Sequence, residues 1–171
     1  MVEQNVSKWV GRIDTTSIRY YHLSGAVLAG TYVLMLLGAY TSAIGAGLSC
    51  PDWPMCYGTL VPFLHPEIMN QTPYSAIQIF AEWAHRGVAM LVGIGIFGTA
   101  VVAHYLRKPP FVRWSVTIAV LLLPVQVIVG GLTVTEKLQP IIVTSHLGIA
   151  TLILLFLCTT VVADVLSKTG C

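Results

Sequence analysis

Three ionisable residues, Glu82, His85 and Arg86, lie close together in an otherwise apolar stretch of this chain. In a helix they occupy positions i, i+3 and i+4 and therefore share one face. An ionisable group within a membrane helix costs about 2.5 to 3.5 kcal/mol on insertion scales, so such a cluster is a functional candidate. A second apolar stretch carries His146. Because neutral imidazole is a strong ligand for iron, two histidines at one depth on different helices predict the two axial ligands of a haem.

The charged neighbours of His85 have candidate roles around such a haem. Arg86 would pair with a haem propionate, since a carboxylate in a low-dielectric site needs a cation. Glu82 would then be free for another role. Two structural alternatives stand beside this hypothesis. The histidines could form interhelical hydrogen bonds, and Glu82 and Arg86 could simply neutralise each other at i, i+4.

Other polar residues are secondary candidates. His22 and His104 form a second pair near the inner ends of the first two predicted helices, where they would bind another haem or lie at the membrane interface. His65 lies in a Pro-rich loop and either covers the site or is exposed. Hydrogen bonds that help the helices pack are expected from Thr41, Ser42, Gln126 and Thr133.

The composition determines which elements must position these residues. Hydrophobic residues make up 56% of the chain and charged residues 9%, against about a quarter charged in soluble domains. Within a bilayer every backbone polar group must be paired inside the segment, and long apolar runs of about 20 residues satisfy this as helices. We therefore predict an all-α membrane protein, a four-helix bundle. Its spans are expected at about His22 to Ile44, Ile77 to Tyr105, Trp114 to Thr135 and Pro140 to Ala163.

Basic residues predict the orientation of the spans. They lie before the first helix, in the second connection and after the fourth helix, at Lys8, Arg12, Arg19, Arg107, Lys108, Arg113 and Lys168. The positive-inside rule then puts both termini in the cytoplasm of a cell whose plasma membrane holds the protein. The expected parts are a cytoplasmic segment 1–21, a transmembrane domain 22–163 with an outer loop 45–76, and a cytoplasmic tail 164–171. The net charge of +2 provides no basic surface for nucleic acid.

Two cysteines, Cys50 and Cys56, lie in the predicted outer loop. Thiols on the outer side of a cell membrane can oxidise, so a disulfide is predicted. A free redox pair or two unpaired thiols are the alternatives.

The chain contains an internal repeat. Residues 38–41 read Gly-Ala-Tyr-Thr and residues 130–133 read Gly-Gly-Leu-Thr, while residues 85–89 and 146–150 share the pattern His-x-Gly-Val/Ile-Ala. Two repeated helical hairpins are predicted, each with a histidine near the outer end of its second helix. Repeats in membrane proteins commonly place a binding site at their interface, although small residues also recur wherever membrane helices pack closely. The glycines at 87 and 148 would let a porphyrin approach the backbone.

Several of these stretches together resemble the haem A synthase family. The resemblance begins with Gly-Ala-Tyr-Thr at 38–41 and Gly-Ala-Gly-Leu-Ser-Cys-Pro-Asp-Trp-Pro-Met-Cys at 45–56. It continues with Glu-Trp-Ala-His-Arg at 82–86, and it extends through 126–134 and 146–150. The Cys-Pro-Asp-Trp-Pro run followed by Glu-x-x-His-Arg is a specific signature, and the resemblance covers nearly the whole chain from the first helix onward.

That resemblance implies an oxidoreductase that converts the methyl group at ring position 8 of haem O to the formyl group of haem A, for terminal oxidases. In the family, histidines at the positions of His85 and His146 ligate haem, and glutamate at the position of Glu82 is usually assigned to the chemistry. Two successive hydroxylations would give a geminal diol that loses water. A buried carboxylate would take protons or stabilise a developing carbocation.

The sequence also departs from the family pattern. Typical relatives have eight spans in two four-helix halves, with one histidine pair for the substrate haem and another for a haem b cofactor. This chain has one such half, and Ser42 stands where arginine is common. We therefore expect a homo-oligomer that replaces the fused halves, with a single self-sufficient bundle as the alternative.

The expected partners are haem O, membrane lipid and an unidentified electron donor. A haem O synthase or a terminal oxidase under assembly is also expected, and haem b is a further form that the site would take. Two other classes of protein compete with this interpretation. One is a non-enzymatic b-type cytochrome that carries electrons in the membrane, and the other is a haem-free assembly or transport module.

Overall fold

The described part of the chain is helical. The computed structural model describes residues 2–169, with side chains described for residues 20–67 and 71–167. The helices are α1 (Val2–Ala43), α2 (Pro66–Gln71), α3 (Ala76–Tyr105), α4 (Pro110–Thr135) and α5 (Pro140–Thr169), and a 3-10 turn spans Pro62–Leu64. In these residues the only β-type pairing is an isolated bridge between Cys56 and Thr59. The prediction of an all-α fold is confirmed.

Four of these helices are long and apolar enough to cross a membrane. The candidate spans are Tyr20–Ala43 in α1, Ala76–Tyr105 in α3, Pro110–Thr135 in α4 and Pro140–Ser167 in α5. Between 11% and 22% of each apolar window is buried inside the protein, so most of these apolar side chains lie on the outer surface of the bundle. Such a surface requires lipid around it. The chain is a multi-pass membrane protein, as predicted.

The helices extend beyond the predicted spans, because hydropathy marks an apolar window rather than the ends of a helix. The third span was expected from Trp114, but α4 begins at Pro110. Proline suits a first helical position, because it has no N–H to leave unpaired and its φ is already helical. At the fourth span, α5 continues beyond Ala163 to Thr169. The polar segment before the first span also continues the backbone of α1.

The four long helices pack in a ring. Helix α1 packs against α3 and α5, and α4 packs against the same two helices, so α3 and α5 lie diagonally across the bundle. We name the end of the bundle that carries the connection 44–75 the loop end, and the end that carries the turn 106–109 the turn end. Two buried clusters fill the bundle from its middle to the turn end. One is centred on Ile96 and Leu157, and the other on Tyr20 and Val112.

The loop end is held together by side chains near the start of α3. The side chain of Gln78 donates to the carbonyl of Ile44 (2.8 Å), and Ser49 Oγ donates to the carbonyl of Gln78 (3.0 Å). Gln78 Oε1 also accepts the N–H of Ser75 (3.0 Å), which satisfies one of the unpaired donors at the helix start. These bonds join the residues that follow α1 to the first turn of α3.

The turn end carries a buried ion pair. Lys108 Nζ lies 2.7 Å from Asp164 Oδ1, and the two side chains are 10% and 0% exposed. The Lys108 ammonium also lies 4.7 Å from the centre of the Tyr20 ring, in a cation–π arrangement. Lys108 belongs to the turn between α3 and α4, so this contact joins that turn to both α5 and α1.

Candidate functional site

His85 lies against a glycine of the neighbouring helix. A Cβ atom built on Gly38 of α1 would lie 2.9 Å from His85 Cε1 and 3.4 Å from its Nδ1. Contacts this short do not occur for real Cβ atoms, so only glycine at position 38 allows the ring to take this place. The carbonyl of Leu34, one helical turn before Gly38, also lies beside the ring.

His146 lies in an equivalent place in the second hairpin. A Cβ atom built on Gly130 of α4 would lie 3.0 Å from His146 Cε1 and 3.6 Å from its Nδ1. The carbonyl of Gln126, four residues before Gly130, lies beside this ring. Each hairpin thus places its histidine ring edge against the glycine of its first helix, and we name these two places the histidine seats. Their equivalence is what the sequence repeat predicts.

Along the bundle, the histidine seats lie between the residues packed toward the turn end and those packed toward the loop end. His85 and His146 come from the diagonal helices α3 and α5, and they are close enough to interact electrostatically. Toward the turn end the interior is filled by the cluster around Ile96 and Leu157, and toward the loop end a third cluster forms around the disulfide. A side chain added at Gly87 or at the glycine at 148 would meet nothing within 4 Å.

The unpaired ring nitrogens at the histidine seats are suited to act as metal ligands. Nδ1 of both His85 and His146 is buried and makes no hydrogen bond among the described residues. A buried polar atom left unpaired costs about 1 to 3 kcal/mol, so such atoms call for a partner. A nitrogen lone pair in an apolar surrounding is what iron takes from imidazole. The donor chemistry of the two histidine seats therefore suits a haem iron.

Glu82 lies one helical turn before His85 on the same helix. Its side chain is buried, with the residue 7% exposed, and its Oε1 accepts a hydrogen bond from Arg86 Nε (2.9 Å). A buried carboxylate needs such a charged partner. The predicted i, i+4 pairing of Glu82 with Arg86 is therefore present, and it leaves the other carboxylate oxygen available.

Arg86 is mainly engaged with the backbone of the loop rather than with open space. Its Nη1 donates to the carbonyls of Asp52 and Met55 (2.6 Å each), and its Nη2 donates to the carbonyl of Cys50 (2.9 Å). With the bond to Glu82, four of the five guanidinium N–H groups are in use. One N–H remains for a propionate, so Arg86 acts first as a clamp between α3 and the loop.

The loop itself is closed by the predicted disulfide. Cys50 and Cys56 are bonded, and both are buried. Inside this short ring of residues, the carboxylate of Asp52 accepts the N–H groups of Tyr57 (2.6 Å) and Gly58 (2.8 Å). The side chain of Trp53 leaves the loop and lies on α4, where a Cβ atom built on Gly131 would be 3.4 Å from the indole. Trp53 thus contacts α4 at the residue that follows Gly130, the glycine against which the His146 ring lies.

The polar residues that were predicted to form hydrogen bonds between helices differ in what they contact. Gln126 does reach a neighbouring helix, with its Nε2 3.3 Å from His146 Nε2, but it was expected only as a packing residue. Thr41 and Thr133 instead donate to carbonyls of their own helices, and Ser42 is exposed. Threonine in a helix can always reach the carbonyl one turn back, which competes with any interhelical bond. The role of Trp53 was missed, because no local pattern reveals a loop residue's distant partner.

The remaining histidines lie away from the two seats. His65 is exposed and its Nδ1 lies 3.1 Å from Glu67 Oε1. His104 is exposed and its Nε2 lies 3.0 Å from the hydroxyl of Thr117 on α4, while His22 is exposed and in ring contact with Tyr21. His22 and His104 therefore do not repeat the arrangement of a half-buried ring against a glycine, and they give no support to a second haem.

Four long apolar helices, with one half-buried histidine on each of the two diagonal helices, define a polytopic all-α membrane protein. Residues 21–168 match the model of the cytochrome oxidase assembly protein family. The chain belongs to this family, which confirms the resemblance to haem A synthases seen in the sequence.

Relatives with two different names are similar to this chain. It is 37% identical to the haem A synthase of Shewanella oneidensis over 127 residues, 70% of this chain and 38% of that protein. The haem A synthase of Geobacillus kaustophilus is 30% identical over 74% of this chain and 36% of its own length. The protoheme IX farnesyltransferase of Halobacterium salinarum strain R1 is 33% identical over 69% of this chain and 23% of its own length. The chain thus spans well under half of each relative, and no solved structure matches it significantly.

Proposed function

We propose that this chain is a haem A synthase-like oxidoreductase that converts the ring-position-8 methyl group of haem O to the formyl group of haem A. The observation that carries the proposal is the pair of histidine seats with a buried acid beside one of them. Similarity to two haem A synthases supports it. An electron carrier would need the histidines but would have no use for the buried carboxylate of Glu82.

The residues around the site have separate roles in this proposal. His85 and His146 hold the iron, whose redox chemistry with oxygen supplies the oxidising power when haem is bound. The apolar helix faces exclude bulk water from the reacting methyl group. Arg86 keeps the loop closed over α3 and has one N–H left for a propionate.

Glu82 is proposed as the residue that moves protons at the reacting methyl group. Its Oε1 is held by Arg86, so the position of the carboxylate is fixed while the second oxygen remains available. General acid–base groups contribute about 10² to 10⁴-fold to a rate, and they must be within hydrogen-bond reach of the proton that they transfer. In the helix, Glu82 and His85 share a face, which keeps the acid next to the haem.

The proposed partners follow from the same chemistry. Haem O carries a prenyl chain, so its supply requires prenylation of protoheme, and a relative named protoheme IX farnesyltransferase contains a segment similar to this chain. We propose that a haem O synthase passes substrate to this protein and that terminal oxidases under assembly receive the product. An electron donor, membrane lipid and a plasma-membrane location with both termini in the cytoplasm belong to the same proposal.

We also propose that the chain acts as a homo-oligomer. Oligomers of identical chains commonly form by closed symmetry, in which each copy contributes the same surface. Each copy carries its own pair of histidine seats.

Extraction of pigment from the purified, full-length protein tests the proposal. Expression in cells that make haem O is expected to yield protein with haem O or haem A, and membranes that gain haem A. Haem b alone would favour the b-type cytochrome. Protein without any haem would overturn both interpretations.

A substitution at Glu82 tests its role in the reaction separately from haem binding. E82Q is expected to bind haem with an unchanged spectrum but to form haem A at least about 100-fold more slowly, within the range for lost acid–base catalysis. The matched control is E136Q, because Glu136 is an exposed acid at the end of α4. Normal haem A formation by E82Q would remove the role proposed for Glu82.

A further inference from the structure

The two histidine seats are built alike but carry different polar neighbours. In the first hairpin, the residue one turn before the glycine is Leu34, which is apolar, whereas Gln126 has that position in the second hairpin. On the two helices that carry the histidines, the polar residue is found in the first hairpin and the apolar residue in the second. Three residues before His85 stands Glu82, and three residues before His146 stands an apolar valine. One seat is therefore flanked by an acid and the other by an amide.

The amide of Gln126 is in contact with the His146 ring. Its Nε2 lies 3.3 Å from His146 Nε2, while its Oε1 is buried and has no hydrogen-bond partner. A half-turn of the amide exchanges its oxygen and nitrogen at nearly unchanged positions. The unpaired Oε1 would then accept an N–H from His146 Nε2. This single rotation satisfies a buried acceptor and leaves His146 Nδ1 as the ring's lone pair.

An outer partner of this kind is what fixes a metal-binding histidine. The ring nitrogen that does not bind the metal usually donates to a carbonyl or carboxylate, which sets the tautomer and orients the ring. In the first hairpin, the corresponding side chain is that of Leu34, which offers no acceptor. A backbone carbonyl lies beside each ring, that of Leu34 at His85 and that of Gln126 at His146, so the seats differ in the side-chain amide. Among the described residues no side chain is hydrogen-bonded to His85, and Glu82 and Arg86 are its charged neighbours along α3.

We propose that Gln126 is a positioning residue that makes His146 the permanent iron ligand, and that His85 is the exchangeable ligand on the reactive face. The inference rests on the proposed function and adds to it a division of labour between the two histidines. Oxygen needs an open coordination position on the iron. With haem bound, an exchangeable His85 would leave oxygen access on the side that carries Glu82, which can supply protons there, whereas an exchangeable His146 would leave access on the side without an acid.

Single-histidine variants of the full-length protein test the assignment by spectroscopy. H85A is expected to keep haem close to the wild-type amount, to show a high-spin ferric spectrum and to bind carbon monoxide rapidly when reduced. H146A is expected to lose most of its haem, at least about tenfold. Equal haem loss in both variants, or loss only in H85A, would overturn the proposal.

Exchange of the two residues that distinguish the seats tests the role of Gln126. Q126L is expected to weaken haem binding by about 10- to 100-fold, the range for loss of a metal ligand's outer partner. L34Q is the matched control, because it adds an amide at the equivalent position and leaves the seat of His146 intact. In the double variant Q126L/L34Q, haem retention is expected to depend on His85 instead. Unchanged haem affinity in Q126L would overturn the proposal.

These readouts separate the inference from the proposed function. Haem content, spin state and carbon monoxide binding report the ligands whether or not haem A is formed. A wild-type protein that binds haem but forms no haem A contradicts the proposed function, and the ligand assignment is still decided by H85A and H146A. Helix content from circular dichroism confirms that each variant is folded, and Q126E keeps an acceptor at the same position if Q126L does not fold.

Discussion

The glycines at positions 38 and 130 determine how closely each imidazole approaches the neighbouring helix. An added Cβ would lie 2.9 Å from the ring Cε1 at position 38, which real Cβ atoms essentially never show, and 3.0 Å at position 130, where the ring would have to move by a few tenths of an ångström. The sequence repeat revealed these glycines, but it did not reveal that each one faces a histidine. A glycine match alone is also what close helix packing produces, so the pairing needed the geometry of the bundle.

Alanine at either of these glycines is expected to displace the facing ring. Over-packing of this kind costs about 1 to 3 kcal/mol, and the ring can relieve the strain only by leaving its place. G38A and G130A should therefore purify as folded protein with strongly reduced haem, measured as the ratio of haem to protein by absorbance.

The control for this prediction is G93A on α3. An added Cβ at Gly93 would meet nothing within 4 Å, and alanine favours a helix by up to about 1 kcal/mol over glycine. G93A should keep its haem and its thermal stability. Full haem content in both G38A and G130A would show that the rings do not need these positions.

Only one of the contacts of Arg86 could be predicted from the sequence. Its pairing with Glu82 follows from helix periodicity, since the two residues are four apart. Its three other bonds go to carbonyls of Cys50, Asp52 and Met55, more than thirty residues earlier in the chain. The backbone of a loop has no periodic pattern, so neither the position of those carbonyls nor the clamp could be predicted.

At the scale of elements, this clamp makes the loop a part of the bundle. Three carbonyls of the loop 50–56 point at one guanidinium of α3, and the disulfide holds the loop in the shape that presents them. Asp52 adds two further bonds within the loop. Hydrogen bonds to a charged group contribute about 1.5 to 3 kcal/mol each, so a single residue holds much of the loop in place.

Removal of this side chain is expected to release the loop. R86A should be cleaved by chymotrypsin at the loop aromatics at least about ten times faster than wild type, because each 1.4 kcal/mol of lost stabilisation raises an open population about tenfold. The cleavage products are measured by mass spectrometry over time.

A matched variant at an exposed cation separates this effect from a loss of charge. K137A removes a cation from the other connection at the loop end, where Lys137 is exposed. It should be cleaved at the wild-type rate. A rate for R86A equal to that of K137A would show that the loop is held by other contacts.

The ion pair at the turn end is a second contact between elements that hydropathy did not reveal. Lys108 was expected only as a topogenic charge at the membrane surface, but its ammonium is bonded to the fully buried Asp164. Loss of one partner of a buried pair costs about 3 to 5 kcal/mol, because a desolvated charge remains. D164A should therefore lower the thermal midpoint in detergent markedly.

Replacement of both Lys108 and Asp164 tests whether the stability lost in D164A comes from the unpaired buried charge. A well-packed apolar pair often stabilises a protein as well as a buried ion pair does. K108M/D164L should therefore recover most of the stability that D164A loses, without any change at the distant histidine seats. Equal midpoints for D164A and wild type would contradict a structural role for the pair.

At the scale of the whole molecule, the sequence predicted the architecture well. Four apolar runs, each long enough to span a bilayer, define the helices, and the family resemblance already covered the chain from α1 onward. The predicted disulfide between Cys50 and Cys56 is present. The sequence did not show that α3 and α5 lie diagonally across the bundle, because packing between helices leaves no pattern along the chain.

The proposed assembly is a property of the whole molecule and can be measured directly. Native mass spectrometry of the protein released from lipid nanodiscs is expected to show two or more chains, each with its own haem. Dilution into excess lipid should lower haem A formation if the assembly is required. A fully active single chain at high dilution would refute the homo-oligomer.

The indole of Trp53, which lies on Gly131, restricts the routes by which a large ligand can reach the histidines. On the proposed function, a macrocycle that approached from the loop end would meet this tryptophan and the disulfide-closed segment to which Arg86 is hydrogen-bonded. A prenylated macrocycle already dissolved in the bilayer has a different route, since it can slide sideways between helices without disturbing that cover. For the proposed substrate, this arrangement favours entry through lipid.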